Sequence, residues 1–416
     1  MGAARWQGRS GAGLPVPAVV VTCLAVLVAG WWARSPCLDL TAWARGVQYS
    51  GYCYTDVVPL WFGRGLADGA GPYGAQPLEY PPVLAVRIWL AAVLAHALPG
   101  DPALWTFSVT NGLLVVLESL AVLVLLRRLG LPPSRLVWWA AAPPLFLYAF
   151  YNWDVLPLVL LLGALLLHRD GRDTAAGAVA GLGAAAKVFP GFLVPLVVLA
   201  LLARGRRGAA LRHGAAALGA WAAVQLPPYL LARDGWARFY ELSSERGMHV
   251  DSVWYLLFRL GGPALSPSAL SVASAAVFGL GAVVVVVLGV RNRPPEDWWQ
   301  LLVPVLVCFL LANKVYSPQY TLWLVPLLAL VLRRAAPFLA LVAADLAVHA
   351  VEFPFLGGRS GFGAELPYPL LGTAVAVRAA VLCWILVEVV RRPTPVEREG
   401  GPQFQEGSQN RSSKAS

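Results

Sequence analysis

Residues 104–128 decide the fold class; they have the sequence LWTFSVTNGLLVVLESLAVLVLLRR. The run holds a single acidic residue, Glu118, before a pair of arginines at its end. An α-helix needs about 20 mainly apolar residues to cross a hydrocarbon core of about 30 Å. The run therefore predicts a membrane-spanning helix that ends at a basic surface.

The rest of the chain repeats this pattern. Of its 416 residues, 58% are hydrophobic and 13% are charged, whereas a soluble domain carries about 25% charged residues. This composition excludes an ordinary soluble enzyme. It predicts an all-α polytopic membrane protein, with residues 16–390 as one transmembrane domain of about 12 helices. The other runs lie near residues 16–33, 136–150, 153–167, 174–186, 189–203, 214–231, 270–290, 299–312, 319–332, 335–351 and 370–390.

The topology follows from the arginines, which lie at the ends of apolar runs. One further run, residues 82–98, would place every arginine pair outside if it crossed the membrane, so we expect it to be a juxtamembrane helix at the outer surface. The positive-inside rule then makes residues 1–15 and 391–416 cytoplasmic, and the polar composition of the second predicts disorder. The net charge of +10 reflects this topology and not a nucleic-acid partner. The Arg-rich, Lys-poor composition suggests a bacterial plasma membrane protein.

Three predicted outer segments are long: residues 34–103, 232–266 and 352–369. Such loops suit a site for an external or lipid-borne substrate. No internal repeat is evident, which argues against a transporter built from duplicated halves. The chain also lacks GxxxxGK[ST], HExxH and paired CxxC motifs. Cys37 and Cys53 share the first outer loop, where they form either a disulfide or two buried thiols.

Short polar and aromatic motifs recur in a fixed order along the chain. The first outer loop contains YTDVVPLW at residues 54–61 and EYPP at residues 79–82. Later motifs are YNWD at 151–154, KVFP at 187–190 and KVYSPQY at 314–320. In this order the sequence resembles the GT-C membrane glycosyltransferases, specifically the polyprenyl-phosphate-mannose-dependent family 87 of actinobacteria.

The resemblance implies a GT-C-like helical bundle and a catalytic carboxylate in the first outer loop. Asp56 occupies that position. Some GT-C relatives place two adjacent acidic residues there, whereas the nearest preceding acid in this chain is Asp39. We therefore expect no metal site built from a carboxylate pair and no cofactor, and a metal requirement stays open.

The implied reaction needs one base and some positive charge. A phosphate is a good leaving group, so a single carboxylate that deprotonates the acceptor suffices for inversion, unlike the two carboxylates of glycoside hydrolases. Asp56 is either that base or the cap of the helix that follows it.

Positive charge for the donor phosphate has four candidate sources. Lys187 and Lys314 lie at predicted outer ends of spans in a chain with only three lysines. They bind phosphate or extend to the membrane surface. Arg246 and His249 either contact phosphate or belong to a solvated loop. For Glu118, Asp345, Arg378 and Glu388, charged residues within the spans, we expect interhelical pairing.

The sugar and acceptor site has six candidate residues. They are Glu79, Tyr80, Asp154, Tyr316, Gln319 and Tyr320. Other interpretations are a loop brace for Glu79, a helix cap for Asp154 and an aromatic belt for the residues near 316–320.

These features together predict an inverting glycosyltransferase with an extracytoplasmic active site. It would move a sugar, mannose by resemblance, from a polyprenyl-phosphate donor to a lipid-linked or polysaccharide acceptor among membrane lipids. Arabinofuranose is the alternative sugar. A lipid-linked-sugar transporter or flippase, and an inactive partner of an envelope complex, are the other function classes.

Overall fold

Helices make up most of the described structure. The computed structural model describes residues 14–100 and 103–391, in which no strand occurs. The tail predicted to be disordered lies outside these ranges from residue 392 onward, as do residues 1–13. The α-helices are Val16–Trp32 (α1), Leu40–Ala44 (α2), Val47–Ser50 (α3), Val57–Gly63 (α4), Pro82–Ala97 (α5), Leu104–Arg128 (α6), Pro133–Ala140 (α7), Pro143–Tyr148 (α8), Val155–Arg169 (α9), Asp173–Ala184 (α10), Leu193–Ala203 (α11), Arg207–Leu231 (α12), Arg233–Glu245 (α13), Val253–Arg259 (α14), Pro267–Val290 (α15), Leu302–Ala312 (α16), Thr321–Val331 (α17), Ala336–Arg359 (α18) and Tyr368–Arg391 (α19). Short 3-10 helices cover Ser35–Leu38, Leu66–Asp68, Phe189–Phe192, Pro295–Leu301 and Pro318–Tyr320.

The long apolar helices confirm an all-α polytopic membrane protein. Within the described ranges, 6 helical segments are long and apolar enough to cross a membrane, and α12 with α13, bent by 114°, makes a seventh candidate. The other five predicted runs form shorter or broken helices. The run at 136–150, for example, is divided into α7 and α8, because Pro143 and Pro144 lack the N–H that a continuous helix needs. The 6 segments are Val16–Leu38, Leu104–Arg128, Pro267–Val290, Pro295–Ala312, Ala336–Arg359 and Tyr368–Arg391.

The first outer loop has a hydrophobic core of its own. Buried side chains from α4, α5 and α6 form this core, and within it Trp61 stacks on Phe107 with ring centroids 4.9 Å apart. The predicted juxtamembrane run at 82–98 forms α5. Arg87 of α5 donates to the Glu118 carboxylate of α6 at 2.8 Å. A disulfide joins Cys37 to Cys53. These contacts hold the loop that carries Asp56 against the helices.

Close packing of α10 against α12 fixes the segment that carries Lys187. A Cβ atom added to Gly177 would lie 2.1 Å from the carbonyl oxygen of His213, and one added to Gly181 would lie 2.1 Å from that of Ala217. Only glycine allows two helix backbones to approach this closely. Because Lys187 follows the end of α10 by three residues, this packing sets its position.

Candidate active site

The Asp56 carboxylate is held by three hydrogen-bond donors. Its Oδ1 accepts from the Tyr54 hydroxyl at 2.8 Å, and its Oδ2 accepts from the Tyr80 hydroxyl and the Asn152 amide, each at 2.8 Å. The Asn152 amide also lies 2.9 Å from the Tyr80 hydroxyl. The Asp56 backbone N–H donates to the Tyr151 carbonyl at 2.9 Å. The first outer loop, the start of α5 and the α8–α9 connection therefore meet at this carboxylate.

Asp56 does not cap the helix that it precedes. It occupies the N-cap position of α4, but its side chain accepts no hydrogen bond from the backbone of that helix. The alternative role as a helix cap is therefore not realised, and the carboxylate is directed at the tyrosines and the asparagine instead.

The surroundings of Asp56 favour the protonated form of its carboxyl group more than water does. Burial raises the pKa of Asp56 above the ordinary value of 3.8, and the nearby Glu79 adds to the rise. Hydrogen bonds from Tyr54 and Tyr80 and the positive charge of Lys187 oppose this rise without cancelling it. A carboxylate with a raised pKa is a stronger base than one in water.

Asp154 and Lys187 form a buried ion pair beside this carboxylate. Asp154 is only 1% exposed, and its Oδ1 accepts from Lys187 Nζ at 2.5 Å and from Trp323 Nε1 at 2.6 Å. Lys187 Nζ also lies 5.4 Å from the ring centroids of Tyr320 and Trp323. The Asp154 side chain accepts no bond from the backbone of α9. Asp154 therefore holds a lysine in place and does not cap the helix.

Glu79 and Tyr80 are adjacent in sequence but make different contacts. The Glu79 carboxylate accepts from Arg64 Nε at 2.5 Å, and both side chains are partly exposed. This pair braces the first outer loop, which was one of its two interpretations. The Tyr80 hydroxyl reaches Asp56, while the Tyr80 carbonyl accepts from Tyr73 at 2.9 Å.

Lys314 and Arg246 lie near each other. Lys314 Nζ donates to the Ser271 hydroxyl at 2.8 Å and to the Ser244 carbonyl at 3.2 Å. Burial lowers the pKa of Lys314, and the positive charge of Arg246 lowers it further. Arg246 is exposed at the end of α13. Two cations this close suit a multiply charged anion such as a phosphate.

His249 belongs to a second polar cluster. Its Nδ1 pairs with the Asp251 carboxylate, and its Nδ1 lies 4.0 Å from Glu352 Oε1. Burial alone would lower the His249 pKa, but the charges of Asp251 and Glu352 raise it to about 9. Arg378 donates to the other Asp251 oxygen at 3.1 Å and lies 3.6 Å from Asp345.

The residues near 316–320 are divided between the two clusters. Tyr316 is 3% exposed and its ring lies 3.7 Å from the Arg378 guanidinium. Tyr320 instead stacks on Trp323 with centroids 4.1 Å apart, beside Lys187. Gln319 is buried, and its Oε1 accepts no hydrogen bond from the residues that the structure describes.

Sequence reasoning did not single out several residues that complete these clusters. Tyr54 and Asn152 lie within the quoted motifs at 54–61 and 151–154, and membership of these motifs was the available signal. Asp251 and Glu352 were within or next to predicted outer segments. Glu352 follows Asp345 by seven residues, a spacing that places both on one helix face.

Comparison with known protein families gives the class of the chain. The model of glycosyltransferase family 87 matches residues 78–312, more than half of the sequence. Among curated proteins, none matches the chain. The matched range includes Glu79, Asp154, Lys187 and His249, while Asp56 lies before it. The chain thus belongs to glycosyltransferase family 87 and is a glycosyltransferase.

Proposed function

We propose that this enzyme is inverting and moves a sugar from a polyprenyl phosphate to an envelope glycolipid or polysaccharide, with Asp56 as the general base. The observation that carries the proposal is the hydrogen bonding of Asp56. An ionised carboxylate has about four lone-pair positions. Donors from Tyr54, Tyr80 and Asn152 occupy three of them. The remaining position is available to an acceptor hydroxyl.

The chemistry then runs as a single displacement. The acceptor oxygen forms a bond to the anomeric carbon while the bond from that carbon to the phosphate oxygen breaks. The phosphate takes the bonding electron pair, and Asp56 takes the proton of the acceptor hydroxyl. Configuration at the anomeric carbon inverts, so a β-linked mannosyl phosphate gives an α-mannoside.

Lys187, Lys314 and Arg246 are the proposed sources of charge for the donor phosphate. The electric field of Lys187 reaches Asp56, so a phosphate near this lysine would lie within reach of the base. Asp154 holds the lysine through their ion pair. Lys314 and Arg246 supply two further positive charges. We leave His249 out of the phosphate site because Asp251 already binds its Nδ1.

The aromatic surface near Lys187 is the proposed sugar site. Tyr80 and Tyr320 offer ring faces and hydroxyls that suit a carbohydrate. Glu79, Gln319 and Tyr316 would shape the surrounding walls, because Glu79 pairs with Arg64 and Tyr316 is covered by Arg378. Mannose is the sugar favoured by the sequence resemblance, and arabinofuranose is the alternative.

The proposed setting is a bacterial plasma membrane, actinobacterial by resemblance. About 12 passes, with the shorter apolar helices included, would place both termini in the cytoplasm and Asp56 at the outer surface. The donor tail would lie in the bilayer and reach the site laterally. The transporter alternative has no observation in its favour, since the family is one of glycosyltransferases.

Purified protein tests the proposal directly. Polyprenyl-phosphate mannose with labelled sugar is incubated with glycolipids extracted from bacterial envelopes, and the labelled product is quantified. Asp56→Asn removes the base and keeps the shape, so we expect kcat to fall by about 10²-fold or more. A parallel reaction with polyprenyl-phosphate arabinofuranose distinguishes the two donors.

The control is Asp68→Asn, which neutralises an exposed carboxylate in the same loop. It should transfer sugar at the wild-type rate. Thermal melting of both variants checks that the fold is intact. If Asp56→Asn is as active as Asp68→Asn, the assignment of the base is wrong.

A further inference from the structure

His249, Asp251 and Glu352 come together from two separate parts of the chain. The first two lie between α13 and α14, and Glu352 lies in α18. One ligand atom from each residue, an imidazole nitrogen and two carboxylate oxygens, lies within 4.8 Å of the other two. The proposed transfer reaction uses none of these groups.

Glu352 carries an independent sign that something else binds here. The residue is 1% exposed, and its Oε2 has no hydrogen-bond partner in the described structure. Its other oxygen is 4.0 Å from His249 Nδ1, too far for a hydrogen bond. A buried carboxylate oxygen without a donor is costly, and a bound cation would satisfy it.

We propose that His249 Nδ1, an Asp251 oxygen and a Glu352 oxygen bind one divalent transition-series cation such as Zn²⁺ or Mn²⁺. Mixed imidazole and carboxylate donors favour these ions over Mg²⁺ and Ca²⁺, which prefer oxygen alone. Ligand atoms at about 2.0–2.2 Å from such an ion lie roughly 3.5 Å apart. For the ion to bind, His249 Nδ1 and Asp251 Oδ1 would have to separate from their hydrogen bond, and Glu352 Oε1 would have to move closer than its present 4.0 Å from His249 Nδ1.

Neighbouring groups support these ligands. Arg378 donates to the Asp251 carbonyl at 2.8 Å and to its Oδ2 at 3.1 Å, which leaves Oδ1 directed at His249. The His249 backbone N–H donates to the Lys314 carbonyl at 2.8 Å. Such outer hydrogen bonds orient metal ligands. On binding, the cation replaces the proton shared by His249 and Asp251, which is released to solvent.

The cation would connect the segment before α14 to α18 and brace one wall of the active site. Phe353, next to Glu352, packs against Tyr151 with ring centroids 6.2 Å apart. The Tyr151 carbonyl in turn accepts from the Asp56 backbone at 2.9 Å. The ion would therefore stabilise the surroundings of Asp56 without contacting it.

Metal content of the full-length protein tests this site independently of sugar transfer. Protein carrying no histidine tag is stripped with a chelator, incubated with ZnCl₂ or MnCl₂, desalted and measured by mass spectrometry of the elements. We expect about one equivalent in the wild type and a loss of most of it in Glu352→Gln, because that variant lacks a charged ligand. The same ion should raise the Tm of the wild type and leave that of Glu352→Gln unchanged.

Asp345→Asn is the matched control, since it neutralises a buried carboxylate of the same helix that lies outside the ligand set. It should retain about one equivalent of the ion. His249→Asn changes a partly exposed ligand and serves as the second variant if Glu352→Gln fails to fold. A wild-type protein without bound ion, or a ligand variant that binds as much as Asp345→Asn, would overturn the site.

Discussion

Asp56 differs from an acid in an ion pair in that neutral donors, not cations, make all of its side-chain hydrogen bonds in the described structure. Tyr54, Tyr80 and Asn152 stabilise the charged form less than a direct ion pair would. Lys187, a cation whose charge acts on Asp56, is bound to Asp154 instead. This arrangement leaves the carboxylate more basic than one in a direct ion pair, which suits a general base.

The pH dependence of transfer should report on this carboxylate. The base acts only when it is deprotonated, so kcat/KM should fall as the pH is lowered through the raised pKa of Asp56. Lys187 and the hydroxyls of Tyr54 and Tyr80 lower that pKa, while burial and Glu79 raise it. Tyr80→Phe removes one donor, so the acidic limb of the profile should move to higher pH.

Tyr255→Phe is the control for this profile, because its hydroxyl bonds Arg359 and not Asp56. Its acidic limb should coincide with that of the wild type. A limb that stays in place in Tyr80→Phe, or moves to lower pH, would contradict the role of Tyr80 in setting the pKa of Asp56.

Replacing one or the other partner of the Asp154–Lys187 ion pair should destabilise the protein to different extents. Asp154 is fully buried, whereas 15% of the Lys187 side chain is exposed. Lys187→Met leaves a buried carboxylate without its cation and should destabilise the protein by about 3–5 kcal/mol. Asp154→Asn leaves a lysine that water reaches, so it should cost less.

Thermal melting of the two variants and of the double variant measures this asymmetry. The double variant should melt above Lys187→Met, because the uncompensated charge is gone. Lys187→Met should also raise KM for the polyprenyl-phosphate donor. Equal melting points for the two single variants would exclude the asymmetry.

The sequence predicted individual site residues in part. The order of the motifs singled out Asp56, Tyr80, Asp154 and Lys187, which the structure brings together. It could not show that Asp154 binds Lys187, since the two lie 33 positions apart and the packing of the two helices between them decides the contact. From the local sequence, helix capping was the favoured explanation for Asp154.

At the scale of elements, the first outer loop is a small folded unit and not an irregular connection. Its core includes Trp61, Leu66 and Leu78, each almost completely buried. The segment closed by the Cys37–Cys53 disulfide directly precedes the residues that form this core. A rigid loop suits a site whose base must be held within hydrogen-bond distance of its donors.

Removal of the disulfide should weaken this unit. The bond joins Cys37 to Cys53, which are 16 positions apart. Closing a loop of about 15 residues lowers the conformational entropy of the unfolded chain and so stabilises the fold by about 3 kcal/mol. The double replacement of both cysteines by serine should therefore lower the melting temperature. Cys383→Ser, which changes an exposed free thiol, should not. An unchanged melting temperature in the double variant would show that the bond contributes nothing.

Element boundaries were predicted where hydrophobicity alone decides them. The runs at 104–126 and 82–98 became α6 and α5 with ends shifted by two residues or fewer. The run before Lys187 was the weakest prediction because alanine and glycine give little hydrophobicity. Its role depends on Gly177 and Gly181, a GxxxG pair whose partner helix α12 is distant in sequence.

At the scale of the whole molecule, the arginine pairs and the candidate active-site residues lie at different ends of the helices. The arginine pairs that begin at Arg127, Arg206 and Arg333 lie at or just after the C-terminal ends of α6, α11 and α17. Lys187, by contrast, precedes the N-terminal end of α11, and Asp56 precedes α4. A membrane protein with this pattern orients its basic ends toward the cytoplasm. The proposed active site would then face outward, where the donor sugar is carried on its lipid.

Cysteine labelling in intact cells tests this orientation. Asp68→Cys places a thiol at an exposed site in the loop of Asp56, in a chain whose exposed Cys383 is first replaced by serine. We expect a membrane-impermeant maleimide to label this thiol in intact cells, because the proposed topology puts the loop outside. Arg334→Cys, at an exposed position just before α18, should be labelled only after the membrane is opened. Labelling in the reverse order would place Asp56 in the cytoplasm, where a base for an extracytoplasmic acceptor has no substrate.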